Sequence, residues 1–428
     1  MLNFSLLASN NRRESRIALS DLAEGCLTVP SPSPRGHDLQ ESALTDFSTY
    51  GTTPAEAHER LAAARGKCPV AHSEELGAFD VLLRHADVRS AAKDWKTFSS
   101  RPSAVRPIAA RARLAIDWDP PEHTAWREMV DLGVDDSTPE RIEALVRADT
   151  VDLIDSFAAK GECDLVAEYC EQVPLLAICH ILGFDSEHKE EIRRLSGDVL
   201  ASLKEPERLR KALGDFSKIA TAPVLARRGK AGDDFLTLLA NAEMNGRPLE
   251  PQEITDTMIS LLLAGHETTV SGLSSLLYEV LRNPEVRDRL VADPDLVPAA
   301  VEEALRLHPP VFGFYRRITS DVNIQGVDLA ENSTAYLCWA AANRDPEKFT
   351  DPDEFRLDRG MSRHLTFGFG IHACPGQAVA RMEMTIAATE LLKRLPDIRL
   401  STDDIRHEFR GSETESISAL PAVFTPTS

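Results

Sequence analysis

The sequence predicts a mainly α-helical protein with a small β subdomain, on three observations. Apolar residues recur at three- and four-residue steps, as at Ile142, Leu145, Val146, Val151, Leu153, Ile154 and Phe157 and again at Ile254, Met258, Leu261 and Leu262, which is the spacing of one helix face. Strand-like pieces are short, confined to residues 78–83, 322–324 before Gly326, and 333–338. The 428 residues, 43% hydrophobic and 27% charged, suit a folded chain with a large core.

Taken in order, residues 1 to about 40 include Pro30, Pro32, Pro34 and Gly36 among polar neighbours and read as a flexible extension. Residues 41–428 are expected to form a single domain, since no internal repeat divides them. A net charge of −20, from 48 Lys+Arg against 68 Asp+Glu, is a poor start for binding nucleic acid. Seven cysteines without C-x-x-C pairs suit a reduced, cytoplasmic protein better than a disulfide scaffold or zinc site. The longest apolar stretch, around residues 258–264, is too short to span a bilayer. Met1–Leu7 lacks a positive n-region, so neither a secretory signal nor membrane association is expected.

One segment stands apart. The pattern from Pro251 to Leu281, closed by Asn283 and Pro284, predicts a helix of roughly 45 Å. Its apolar residues over 259–264 lie on nearly every side, which predicts burial on all faces. Within that run come Ala264, Gly265, His266, Glu267, Thr268 and Thr269, polar or helix-weakening residues that are either satisfied locally or serve chemistry. The helix lacks the second histidine of a zinc metalloprotease, because Val270 stands in its place.

Near the C-terminus, residues 367–376 place Cys374 in a glycine-rich loop, followed by the helical pattern of residues 378–392. A sulfur at a helix N-terminus is favoured as thiolate by the dipole and the free N–H groups. A lone buried cysteine is more often inert core. Upstream, Glu303 and Arg306 share a helix face before His308-Pro309-Pro310 ends it, and alone they read as an ordinary surface salt bridge.

Together, F-x-x-G-x-x-x-C-x-G at Phe367 to Gly376, E-x-x-R at Glu303 to Arg306 and A-G-x-E-T-T at Ala264 to Thr269 resemble the cytochrome P450 family in order and spacing. The resemblance extends to Asp119-Pro120-Pro121-Glu122-His123 with Arg127, and to Ala342-Asn343-Arg344-Asp345-Pro346 running on to Arg359. It implies the cytochrome P450 fold, with haem between the long central helix and the cysteine loop. Cys374 would be the axial thiolate of haem b (iron protoporphyrin IX). The haem contacts implied are Ala264, Gly265, Phe367, Gly368 and Gly376, with His123, Arg127, Arg316 and His372 on the propionates. Arg316 is preferred to Arg317 because it stands the family's usual five residues before Asp321. Glu303, Arg306 and Arg359 would form the family's buried charge cluster, a folding element. Thr268, bonded to the Ala264 carbonyl, and Glu267 would relay protons to the oxygen-binding side.

The resemblance further implies a monooxygenase inserting one oxygen atom of O2 into a small or medium organic substrate by hydroxylation, epoxidation or oxidative dealkylation. The chain shows no flavin or iron–sulfur segment, so electrons would come from a ferredoxin and its NAD(P)H-dependent reductase. That partner is expected to dock on a basic patch of Arg89, Arg127, Arg363 and Arg381. The alternatives are a peroxygenase, whose family members lack the acid–threonine pair, and a haem sensor without turnover. Substrate contacts are expected at Ser260, Leu263, Phe312, Phe314, Glu413 and Thr414, and along residues 98–117 and 195–222. Arg101, Arg106, Arg111 and Arg113 in the first of these segments are a solvated face or, alternatively, a site for an anionic substrate. Pro375 departs from the commoner pattern, an aliphatic residue after the cysteine, and removes an amide N–H next to the sulfur.

Overall fold

The computed structural model describes residues 52–74, 78–102, 115–135, 137–183, most of 191–244, 246–360, 363–410 and 414–427. The N-terminal extension and Glu413, Arg106, Arg111 and Arg113 lie outside them. The helices are α1 (Pro54–Arg65), α2 (His85–Lys93), α3 (Glu122–Asp131), α4 (Thr138–Ala158), α5 (Gln172–Leu182), α6 (Pro206–Leu225), α7 (Phe235–Asn241), α8 (Pro251–Leu281), α9 (Pro284–Ala292), α10 (Val297–Leu307), α11 (Trp339–Ala342) and α12 (Gln377–Arg394). None of these is long and apolar enough to cross a membrane.

Helix α8 has the bounds the pattern predicts. Pro251 at its first position presets φ, and a capping box satisfies the free amides, with Glu250 N–H donating to Glu253 Oε2 at 2.8 Å. At the other end Asn283 caps α9, accepting from Val286 N–H at 3.3 Å, so the chain turns there. Leu273, Leu276, Leu277 and Val280 of α8 are fully buried against residues of α10 and α12.

The sheet consists of β1 (Val70–Ser73), β2 (Phe79–Leu82), β3 (Phe98–Ser99) and two later strands, Gly313–Ile318 and Thr334–Cys338. Its order runs β1, β2, 334–338, 313–318, β3, with only the β2 pairing to 334–338 parallel. Side chains alternate between its two faces: Val81, Tyr315 and Tyr336 enter one apolar cluster, and Leu82, Ala335 and Leu337 another. A separate hairpin near the C-terminus pairs His407–Arg410 with Thr414–Ile417.

Candidate active site

Two glycines give the cysteine loop its path. Gly368 and Gly370 have φ of +68° and +76°, and a Cβ on Gly370 would sit 2.6 Å from the Ala92 carbonyl of α2. The loop closes where Cys374 N–H donates to the Phe367 carbonyl at 2.8 Å. Cys374 lies two residues ahead of Gly376, the cap of α12. Burial pushes its thiol pKa up, while the Gly376 N–H and the charges of Arg127 and Arg381 pull it down. The helix start therefore does not by itself make the thiolate that its position suggests. Bond formation to a metal would supply the remainder.

Cationic and hydrogen-bonding groups converge beside this loop. Arg316 is buried and pushed down to about 10 by desolvation, against the pull of Asp119 and Asp117. Its Nη1 donates to the Tyr315 carbonyl at 2.8 Å. His123 and His372 meet edge to face at 4.5 Å between centroids. Burial and the charges of Arg316, His123 and Arg127 push His372 down to about 2, so it hydrogen-bonds as a neutral ring. Its Nε2 lies 2.9 Å from Ser100 Oγ. Arg127 donates to the Ala373 carbonyl at 2.8 Å and to Asp131 at 2.7 Å. One buried guanidinium, the part-buried Arg127 and neutral imidazole and hydroxyl donors are the complement of carboxylates, and this donor set fits the two propionates of a haem. Ser100, only 1% exposed, was missed in the sequence because a lone serine carries no signal.

On α8, Thr268 Oγ1 donates to the Ala264 carbonyl at 2.7 Å, as expected. The predicted burial on all faces does not hold. Ser260, Leu263, Ala264, Glu267 and Thr268 stay accessible at three- and four-residue spacing, leaving one open stripe along the helix. The helix is unbroken there. A Cβ on Gly265 would meet Ile178 of α5 at 3.2 Å, so this glycine allows two helices to approach closely. His266 is buried, its Nε2 3.1 Å from the Glu171 carbonyl.

The predicted substrate residues divide. Phe314 is partly accessible and shares a strand face with Arg316, two residues on. Phe312 is 0% exposed, wedged between His58 and Phe409 at 4.8 and 4.9 Å, and offers no surface to a ligand. Its half-exposed neighbour Val311 instead bridges to the half-exposed Thr414. Arg101 pairs with Glu122 at 2.7 Å and stacks on Trp118, which weakens the anionic-substrate reading.

Glu303 and Arg306 are no surface pair. Arg306, with no exposure, donates to both Glu303 oxygens at 2.8 Å and to the carbonyls of Asn343, Pro352 and Glu354. Arg359 adds a bond to Glu303 at 2.6 Å. The proposed docking patch also needs correction. Arg381 is committed to Glu302 at 2.5 Å and covers the Phe367 ring, and Arg127 is bonded as above, whereas Arg89 and Arg363 are exposed.

A helical body, a long helix with one open polar-apolar stripe and a cysteine loop flanked by arginines and histidines define a haem-thiolate class of oxidoreductase. The comparisons agree. The profile of the family described as Cytochrome P450 matches residues 222–396. Cytochrome P450 107B1 of Saccharopolyspora erythraea is 33% identical over 376 residues, 83% of this chain and 92% of the relative. Steroid C26-monooxygenase of Mycobacterium tuberculosis (strain H37Rv) is 32% identical over 391 residues, 90% of this chain and 97% of the relative. The solved structure of the mixed-function P450 MycG with mycinamicin IV superposes with a TM-score of 0.78 at 30% identity, covering 85% of this chain and 96% of that one. The chain belongs to the cytochrome P450 family and is a monooxygenase.

Proposed function

We propose that residues 41–428 form a single catalytic domain that holds haem b and oxidises a medium-sized or bulky, largely apolar organic substrate in the cytoplasm. Cys374 would hold the iron, with Phe367, Gly368 and Gly376 shaping the loop around the ligand. Arg316, His123, Arg127 and His372 would hold the propionates, and Ala264 and Gly265 would lie over the ring. When bound, the haem supplies activation of O2 by an iron made electron-rich through its thiolate. Thr268, whose hydroxyl proton goes to Ala264, would present Oγ1 as an acceptor that orients a water over the open stripe of α8, and Glu267, one residue before it, would pass protons inward from solvent. Ser260, Leu263, Phe314, Val311 and Thr414 would line the substrate side. The partial match to a steroid oxygenase and to a protein that binds mycinamicin IV supports a pocket for a large ligand.

The observation that carries this reading is the 2.7 Å bond from Thr268 to Ala264 on the accessible stripe. A peroxygenase or a sensor has no use for a proton route there. Oxygen uptake and product formation with a surrogate ferredoxin, reductase and NAD(P)H test it, using substrates chosen by the haem spin-state change they cause. Turnover with peroxide alone would favour the peroxygenase, and spectral binding without any turnover the sensor. The ferredoxin would meet the exposed Arg89 and Arg363, so Arg89→Glu should slow the first electron transfer and flatten its salt dependence. Unchanged kinetics would remove this docking face.

A further inference from the structure

Away from the haem site, the fold gathers a second set of side chains with ligand chemistry. His58 on α1, His308 just beyond α10, and His407 and Glu415 on the two strands of the C-terminal hairpin meet beside Glu279 of α8. The Glu415 side chain is 1% exposed and central. Its Oε1 lies 3.0 Å from His308 Nδ1 and 3.3 Å from His407 Nδ1, and its Oε2 lies 3.8 Å from His58 Nε2. The ligand atoms of His308, His407 and Glu415 are all within 4.8 Å of one another. The backbone beneath is fixed, with Glu415 N–H donating to the Pro310 carbonyl at 2.9 Å and Ser271 Oγ donating to the Glu415 carbonyl at 2.6 Å.

Hydrogen bonding within the cluster leaves atoms over. Both His58 nitrogens, His407 Nε2 and Glu415 Oε2 are buried with no hydrogen-bond partner, a situation native cores avoid. Ring packing rather than hydrogen bonding orients His58, against Phe312 at 4.8 Å. Meanwhile His308 Nε2 lies 2.8 Å from Glu279 Oε1, and Arg282 holds the other Glu279 oxygen at 2.8 Å.

We infer that His58, His308, His407 and Glu415 form a structural site for a zinc ion. Three imidazoles and one carboxylate are a zinc donor set, and bonds of about 2.0–2.1 Å in a tetrahedron put ligand atoms about 3.3 Å apart. His308 Nδ1 and His407 Nδ1 stand 3.0 and 3.3 Å from Glu415 Oε1, at that spacing, while His58 Nε2 lies 3.8 Å from Oε2, outside the group of three, and would close on the ion as the fourth ligand. Glu279 supplies the carboxylate that fixes the tautomer and orientation of a metal-bound histidine, as Arg282 in turn holds Glu279. On binding, His308 Nδ1 exchanges its contact with Glu415 for the metal, and its proton goes to solvent. The ion would tie α1 and the C-terminal hairpin to the end of α10, residues more than 340 positions apart in the chain.

The test uses the tag-free, haem-loaded full chain. Elemental analysis after expression with added zinc should find one zinc per chain, zinc porphyrin being excluded by its fluorescence. Calorimetric Zn2+ titration after chelation should restore it. His58→Ala and His407→Gln should each abolish stoichiometric zinc while the haem absorbance reports an intact fold. Glu279→Gln, which removes no ligand, should weaken zinc binding about 10–100-fold. Should one ligand variant fail to fold, the other and Glu279→Gln still decide. A wild-type protein that neither carries nor takes up zinc overturns the site. So does zinc that the three variants leave in place.

Discussion

Replacing Pro375 by leucine restores one amide N–H directly after Cys374. The nearby Gly376 N–H already pulls the Cys374 pKa down, so the variant adds a second amide beside the sulfur. Pro375 precedes the cap residue Gly376, and α12 begins at Gln377, so proline does not occupy the first helical position that its fixed φ would favour. It is half-exposed, which leaves room for a leucine side chain. A hydrogen bond to a charged acceptor is worth about 1.5–3 kcal/mol, and it is stronger for the more electron-rich sulfur of the ferrous state. If a third to a half of that is the difference between oxidation states, the ferrous form gains about 1 kcal/mol, a rise of about 40 mV for one electron. Redox titration of substrate-free Pro375→Leu reads this directly, and the iron–carbonyl stretch should move in the direction of weaker thiolate donation. An equal or lower potential, with the red-shifted carbon monoxide band intact, would refute the electronic role.

The remaining predictions concern ligand, proton route and pH. Cys374→Ser should lose the red-shifted carbon monoxide band, while replacement of the buried cysteines Cys163, Cys170, Cys179 or Cys338 should keep it; difference spectra of the five variants decide. Thr268→Ala should still bind haem and substrate but yield peroxide in place of product by a factor of about 10 or more per NAD(P)H consumed, and full coupling would defeat the relay. Burial alone would raise the Glu302 carboxyl, but the His364 ring 3.3 Å away and the hydrogen bonds from Arg381 outweigh it and hold the group at about 2 against an ordinary 4.5. A depressed carboxyl stabilises above its unfolded value and loses that stability as pH falls from about 4.5 toward 2. The full shift would be about 3 kcal/mol and, screened by solvent, about 2 kcal/mol. Urea midpoints of wild type and Glu302→Gln should therefore converge over that window, and parallel curves would show that the pair contributes nothing.

What the sequence determined by itself is what depends on near neighbours along the chain. The bounds of α8 follow from Pro251, the Glu250–Glu253 capping box and Asn283-Pro284, and the loop around Cys374 follows from glycines at positions that need positive φ. The Thr268 bond to Ala264 spans a single helical turn, so spacing alone predicted it. Tertiary structure decided whatever depends on which distant side chain arrives. Period-two and helical patterns do not say that Phe312 is sealed by His58 and Phe409 while Val311 remains accessible, or that Gly265 faces Ile178. Nor does the chain show that Arg381 is claimed by Glu302, 79 residues away, or that Glu303 and Arg306 are buried under carbonyls from residues 343–354. His58, His308, His407 and Glu415 carry no motif at all, because their meeting depends on packing between elements separated by most of the chain, and burial, which sets the strength of every charge and hydrogen bond there, is a property of the folded surface and not of any window of sequence.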